Sequence, residues 1–120
     1  MTKPERSDDT ELYRRLLDSS TMPLWILDEK TLCVLDANTA ACTLYGYSRE
    51  EMIGKSAREL RPPEEVERFE EYVAQKIIHG DAGTWMHRKK DGTNIAVNIR
   101  YHAIEYNRRR ARFVIVIPAS

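Results

Sequence analysis

Apolar residues in this chain keep helical spacing at the start, break into short clusters in the middle, and alternate with polar residues at the end. In 8-DDTELYRRLLDS-19, Leu12 and Leu16 recur with Tyr13 and Leu17 beside them, which predicts one face of an amphipathic helix. Asp8 and Asp9 stand where negative charge meets the positive end of the helix dipole. Next, 24-LWILD-28 and 32-LCVLD-36 read as two short strands about the tight hairpin Glu29-Lys30-Thr31. The segment 39-TAACTLYGY-47 reads as a short helix. The Asn38 side-chain oxygen suits its first-turn amide hydrogens, and Gly46 supplies the left-handed residue that ends it. Ser48-Arg49-Glu50-Glu51 and Ser56-Ala57-Arg58-Glu59 both have capping-box spacing, with Gly54 between them. Two caps so close together predict two very short helical pieces in place of one long helix.

Pro62-Pro63 breaks the chain and starts a longer helix, Pro63 being suited to the first helical position. Val66, Phe69, Val73 and Ile77 form its apolar stripe, and Gly80 its end. From Trp85 onward the period becomes two. Trp85 to Lys90, Ile95 to Ile104 and Phe113 to Ile117 predict a three-stranded meander. Its first turn is Asp91-Gly92, a pair suited to positive φ at both central positions. In the middle strand Ile95, Val97, Ile99, Tyr101 and Ala103 share a dry face, while Asn94, Asn98, Arg100 and His102 share a wet one. Ile104 falls on the wet side, which predicts a bulge or the strand's end there. Gly80-Asp81-Ala82-Gly83 reads as a connector. The order predicts an α+β fold: a five-stranded antiparallel sheet with short helices on one face and an N-terminal flanking helix.

With 120 residues there is room for one core. Residues 11–120 are read as one domain, flanking helix included, after a flexible N-terminal stretch, 1–10. The 42% hydrophobic and 32% charged residues suit a soluble folded module. No apolar run reaches the about 20 residues of a membrane helix, and the polar start lacks a secretory-signal core. A cytoplasmic location without direct membrane contact is the expectation. Formal charge is +0 but uneven: Asp81 to Arg112 holds eight Lys/Arg and three acids, Ser48 to Tyr72 eight acids and five bases. Cys33 and Cys42 lack zinc-ligand spacing and are read as small apolar residues.

Three stretches taken together, 22-MPLWILD-28, 36-DANTAACTLYGYSREEMIGKSARELRPPEE-65 and 88-RKKDGTNIAVNI-99, resemble the PAS (Per-Arnt-Sim) domains of bacterial sensors, the sensory-box type. The most specific words are Asn38 followed by Gly46-Tyr47-Ser48-Arg49-Glu50-Glu51-Met52-Ile53-Gly54-Lys55, then the later Arg88-Lys89-Lys90-Asp91-Gly92. The likeness spans about residues 11–117. It implies a sheet cupping a cavity under the helices and a sensory, regulatory role. It also implies an attached effector, a histidine kinase first, with a diguanylate cyclase or a transcription factor as alternatives, so the chain reads as a piece of a longer signal-transduction protein. On this resemblance Trp25, Leu27, Leu60, Phe69, Tyr72 and Val73 are expected to line the cavity, joined by Trp85, Val97, Ile99, Ile115 and Ile117.

The family's cofactor subtypes are tested at particular positions. Light-oxygen-voltage relatives carry an Asn-Cys pair whose thiol bonds flavin; here Ser56-Ala57 stands there. Val97 replaces a flavin-contacting Asn and Ile117 a Gln, so a thiol-bonded flavin is not expected. Haem-binding relatives ligate iron through a His near Phe69, and no His lies between Val66 and Ile78. His79 is read as a helix-end residue, so haem is not expected either. A non-covalent flavin stays open, with Trp25 and Trp85 as stacking rings, and the cofactor is left unassigned.

His87 and His102 lack Cys or carboxylate partners at ligand spacing, so no metal site is expected. Ser48 and Ser56 are accounted for as caps, and Glu64-Glu65 and Glu70-Glu71 as a solvated helix face. No Gly-rich phosphate loop occurs, and no catalytic residue is assigned. Arg88-Lys89-Lys90 and Arg108-Arg109-Arg110 suggest a basic rim, but the wet face lacks stacking aromatics. An acidic protein neighbour is expected there and nucleic acid is not. Two functions follow: a module sensing a small ligand, or a ligand-free one serving dimerisation and protein–protein interaction. The homodimer of the second reading forms through Leu12, Tyr13, Leu16 and Leu17. The Asp-x-Thr that commonly closes the family's last strand is not present in Ile117-Pro118-Ala119-Ser120, so signal output is not legible.

Overall fold

The computed structural model describes residues 10–77 and 79–119, His79 by its backbone alone. Asp8, Asp9 and the rest of the stretch before Thr10, Ile78 and Ser120 lie outside the described residues. The elements run α1 (Thr10–Ser19), β1 (Leu24–Asp28), β2 (Val34–Ala37), α2 (Thr39–Tyr45), α3 (Arg49–Met52), a 3-10 turn (Ala57–Leu60), α4 (Pro63–Ala74), β3 (His79–Arg88), β4 (Asn94–Tyr106) and β5 (Arg109–Pro118). The strands form one five-stranded antiparallel sheet in the order β2-β1-β5-β4-β3. The early hairpin joins the late meander where β1 pairs β5, with Leu24 opposite Ile115 and Asp28 opposite Ala111.

Local hydrogen bonds place most of the breaks. Asp28 Oδ1 accepts from the amides of Lys30 (2.8 Å) and Thr31 (2.9 Å) and so closes the first turn. Asn38 caps α2 by accepting from the Ala41 amide at 2.9 Å, and Gly46 at φ 83 ends it. Ser48 and Glu51 complete a reciprocal capping box. The second expected box is a single cap: Ser56 accepts from the Arg58 amide, but Glu59 turns to Lys55 at 3.5 Å, and only a 3-10 turn forms. Pro63 opens α4 as its spacing predicts. The helix ends at Ala74, before the expected Gly80, because Lys76 takes a left-handed φ of 56. Val66, Phe69 and Val73 turn inward to varying depth, whereas Ile77 lies beyond the helix and is exposed.

Three expectations about the strands are corrected. Gly80 to Gly83 is strand rather than connector, pairing with β4 and holding a bulge between Asp81 and Gly83. No bulge occurs near Ile104, since β4 pairs β5 unbroken from Val97 opposite Pro118 to Tyr106 opposite Arg109. At the Asp91-Gly92 turn only Gly92 has positive φ (90), so this is a longer loop, with the Gly92 amide donating to the Lys89 carbonyl at 2.9 Å. The turn with both central residues left-handed is Asn107-Arg108, at φ 50 and 64.

The two sheet faces carry separate cores. Inside, Trp25, Val97, Tyr101, Val114 and Val116 pack under Ala41, Tyr45, Met52, Leu60 and Phe69. Outside, α1 folds back on its own sheet: Leu17, 2% exposed, joins Leu24, Ile26, Tyr106, Ala111 and Phe113, and the Tyr13 ring lies 5.1 Å from Phe113. Ile104 belongs to this second core, which is why its place on the predicted wet face needs no bulge. Both sheet edges are covered in part. Val34 exchanges backbone bonds with Lys55 and Gly54 along β2. Along β3, the Met86 amide donates to Glu65 Oε2 (2.8 Å) and the Thr84 carbonyl accepts from Arg68 Nη2 (2.6 Å), so α4 side chains occupy an edge open to mispairing. Among the described residues no helix is long and apolar enough to cross a membrane.

Candidate functional site

The two-residue period of the strands aims Trp25 and Leu27 from β1, Trp85 and His87 from β3, Ile99 and Tyr101 from β4, and Arg112 and Val114 from β5 toward the helices. The β3 bulge adds Ala82, whose carbonyl accepts from the Trp85 indole at 3.0 Å and fixes that ring. Arg61, Phe69 and Tyr72 form the roof over a cavity of about 40 Å³. Phe69 and Tyr72 meet Trp85 edge-on, with centroids 6.3 and 5.7 Å apart. The Tyr72 hydroxyl donates to that of Tyr101 at 2.9 Å, which donates to the Ile77 carbonyl at 3.1 Å.

Two guanidinium groups are buried in this wall, Arg61 at 5% and Arg112 at 6% exposure. Arg61 Nε donates to the Ala57 carbonyl at 2.9 Å, and the group lies 3.8 Å over the Phe69 ring. Burial brings its pKa down to about 10, which still leaves it charged at neutral pH. Arg112 lies 4.8 Å over the Tyr101 ring. Its Nε has no hydrogen-bond partner, and Glu29 Oε1 at 4.0 Å is an ion-pair neighbour beyond hydrogen-bonding range.

Fully buried His87 stacks on Trp25, with centroids 5.8 Å apart. Burial, and secondarily the charge of Arg61, holds its pKa well below the usual imidazole value, so the ring is neutral. Its Nδ1 lies 2.6 Å from the Tyr45 hydroxyl, whose own pKa burial drives far up. Assigned from this network, the phenol donates to Nδ1 and the imidazole proton sits on Nε2. That Nε2 has no partner, nor does the Trp25 indole nitrogen. The cavity is thus walled by aromatic rings, and three of its lining residues, Trp25, His87 and Arg112, carry a buried donor with no acceptor.

Six residues expected around the cavity are there: Trp25, Leu27, Phe69, Tyr72, Trp85 and Ile99. Leu60 and Val97 are buried in the same core without reaching it, and Val73 packs against that core half-buried. Ile115 and Ile117 are corrected: Val114 and Val116 face inward, so these two face outward, Ile115 into the core under α1. Arg61, Ala82, His87, Tyr101, Arg112 and Val114 are the unanticipated lining. Strand parity held a signal for His87, two residues after Trp85, and for Tyr101 on the dry face. Arg112 fell outside the expected strand, which in fact begins at Arg109.

The flavin and haem positions can now be judged by shape. Ala57 and Val97 are fully buried apolar side chains, and Phe69 is wedged against Trp85. About 40 Å³ has room for about three waters, against about 300–1,000 Å³ in ordinary ligand pockets. Neither an isoalloxazine nor a haem fits with these side chains in place. His79 begins β3 rather than ending a helix, and its side chain lies outside the described residues. No cluster of three His, Cys, Asp or Glu suited to a metal occurs among the described residues. Cys33 and Cys42 are free thiols.

The expected basic rim is also corrected. The two basic stretches sit at opposite ends of the 13-residue β4, roughly 40 Å apart at ordinary strand rise. Several of these side chains already have acids: Lys90 meets Glu51 at 2.8 Å, Arg109 meets Asp28 at 2.8 Å, and Arg110 meets Glu29 at 3.7 Å. The dimer-helix residues divide: Leu17 and Tyr13 pack on their own sheet, whereas Leu12 (52%) and Leu16 (41%) are exposed.

Comparison with known proteins agrees with this geometry. The PAS family model, described as the PAS fold, matches residues 11–117. No curated protein matches. Among solved structures the chain is similar to a PAS domain from a two-component sensor histidine kinase, with TM-score 0.74 and 20% identity over 92% of this chain and 96% of that one. It is similar to the PAS domain of an HTR-like protein from Haloarcula marismortui, with TM-score 0.74 and 17% identity over 91% and 93% of the two chains. A Rhodobacter sphaeroides LOV protein aligns with TM-score 0.79 and 14% identity, over 92% of this chain and 66% of that one. At these identities the likeness to each structure is one of fold.

Proposed function

This chain belongs to the PAS family, and from that premise we propose that it is a sensory module which binds a small molecule in the inner cavity and signals to an attached effector. The reading is carried by the cavity itself, a space between the sheet and α4, three of whose lining residues, Trp25, His87 and Arg112, hold a partnerless buried donor. Each such donor left dry costs about 1–3 kcal/mol, which a ligand able to pair it restores. A ligand larger than the cavity displaces Phe69 and Tyr72 on α4. Because Glu65 and Arg68 tie α4 to β3, that movement reaches the sheet, and through β4 and β5 it reaches α1 on the far face. The ligand biases the two arrangements only by its difference in affinity for them. The effector is a histidine kinase in a two-component phosphorelay, or a cyclase, in the cytoplasm. The test is a screen of neutral, anionic and cationic small molecules, with flavin and haem included, read by thermal shift and ¹H–¹⁵N spectra. Binders are expected to raise the melting temperature and move the resonances of Trp85 and His87; no binder of any class at millimolar concentration removes the reading.

A second reading rests on the exposure of Leu12 and Leu16. In it, the module pairs with a second copy through this side of α1, with or without a ligand. Sedimentation of the Leu12→Glu/Leu16→Glu variant is expected to show fewer dimers than wild type. An unchanged balance takes α1 out of the interface.

A further inference from the structure

We propose that the inner cavity recognises a small carboxylic acid, whose carboxylate pairs with a buried guanidinium group of its wall, Arg61 or Arg112. The inference rests on the cavity reading above and narrows it to one class of ligand. Buried cations in proteins are ordinarily paired, because an unpaired one loses its hydration without recovering an equivalent interaction. Here neither arginine hydrogen-bonds a carboxylate. Arg61 makes its one hydrogen bond to a backbone carbonyl, that of Ala57. Glu65, whose field reaches Arg61, is engaged by the Met86 amide and Arg68. Glu29 stays 4.0 Å from Arg112 and lies at 3.7 Å from Arg110.

The remaining polar inventory points the same way. Unpaired buried polar atoms on the lining residues are Trp25 Nε1, His87 Nε2 and Arg112 Nε, and with the tautomer assigned above all three are donors. A cation meets two like charges in this cavity, and a neutral molecule leaves both unanswered. A carboxylate offers about four lone-pair sites and matches a set of donors. The guanidinium carbons of Arg61 and Arg112 lie 3.8 and 4.8 Å from the Phe69 and Tyr101 ring centroids, and a ring contact of this kind consumes no N–H donor, which leaves those groups for a planar, two-pronged acceptor. Phe69, Ile99 and Trp85 supply an apolar wall for a short aliphatic or aromatic body. The volume of about 40 Å³ sets the scale: the smallest acids enter nearly undisturbed, and a ring-bearing acid enters as Phe69 yields.

The whole chain is titrated at constant ionic strength with acetate, butanoate and benzoate, and in parallel with benzamide and benzyl alcohol. Calorimetry gives affinity, and ¹H–¹⁵N spectra that include the arginine Nε–H signals give location. Carboxylates are expected to shift the Arg61 or the Arg112 side-chain signal, with benzoate binding about 10- to 100-fold more tightly than benzamide. Arg61→Lys or Arg112→Lys, whichever removes the pairing group, is expected to remove most of that ratio while leaving benzamide binding as it was. Equal affinity for benzoate and benzamide overturns the acid class and leaves a neutral-ligand cavity standing. Silence from all five compounds overturns both. Carboxylate binding that leaves the cavity signals unmoved, or that both lysine variants retain, places the anion elsewhere and overturns the proposal. Should a lysine variant lose its spectral dispersion, the benzoate-to-benzamide ratio on wild type still decides.

Discussion

Asn38→Ala is expected to cost about 3 kcal/mol, because this one buried side chain ties three segments together. Its Oδ1 accepts from the Ala41 amide at 2.9 Å, capping α2, and from the Leu24 amide at 3.0 Å, where β1 begins. Its Nδ2 donates to the Met22 carbonyl at 2.7 Å, anchoring the segment that links α1 to the sheet. Loss of the cap is worth about 1 kcal/mol, and each of the other two bonds, broken in a dry setting, about 1 kcal/mol. Asn38→Asp separates the contributions. It keeps both bonds to Oδ1 but sets a carboxylate oxygen against the Met22 carbonyl, so a loss of about 1–2 kcal/mol is expected at neutral pH. Urea unfolding, read as a midpoint shift at unchanged slope, measures both variants. A loss below about 1 kcal/mol for the alanine variant refutes the ledger. So does an aspartate variant as unstable as the alanine one, since that denies the Oδ1 bonds their share.

Leu17→Ala is expected to lose about 2–5 kcal/mol and Leu12→Ala to stay within about 0.5 kcal/mol of wild type, by thermal or urea unfolding; equal losses would place α1 differently. Lys76→Gly is expected to gain about 0.5–1 kcal/mol, since glycine takes the φ of 56 at the end of α4 without the steric cost a side chain carries; a loss argues against that conformation. The Asp28 carboxyl is held below its ordinary pKa: burial pushes it up, but the Thr31 and Lys30 amides and Arg109 outweigh burial. Its contribution is therefore complete above about pH 4, the unfolded value, and fades as pH falls through the lower folded value. Asp28→Asn should differ from wild type at neutral pH and converge with it in acid; a pH-independent gap sinks the argument.

Where a structural choice is settled within a few residues, it could be read directly from the chain. Asn38, Gly46, the Ser48–Glu51 box and Pro63 all stand at their expected element ends, because each satisfies a helix terminus from its own sequence neighbourhood. The alternation of Ile95 to Tyr101 likewise marked the inner face of β4, and the family words around Gly46 to Lys55 carried the fold class. Distant surfaces decided the rest. Tyr106 is buried and Ile104 half-buried on the face that α1 covers, a helix held by contacts such as the Asn107 amide to Thr10 Oγ1 at 2.8 Å across 97 positions. β5 begins at Arg109 and not Phe113 because β4 supplies a pairing partner along its whole length. The chemistry of the cavity was hidden for the same reason. Arg61, His87 and Arg112 are residue types that usually face water, and only partners on other elements bury them: Arg61 lies against Phe69 of α4, His87 between Trp25 and Tyr45 of α2, and Arg112 beside Tyr101 of β4. Hydrogen bonds between chain neighbours are written in local order, whereas burial depends on which remote surface arrives.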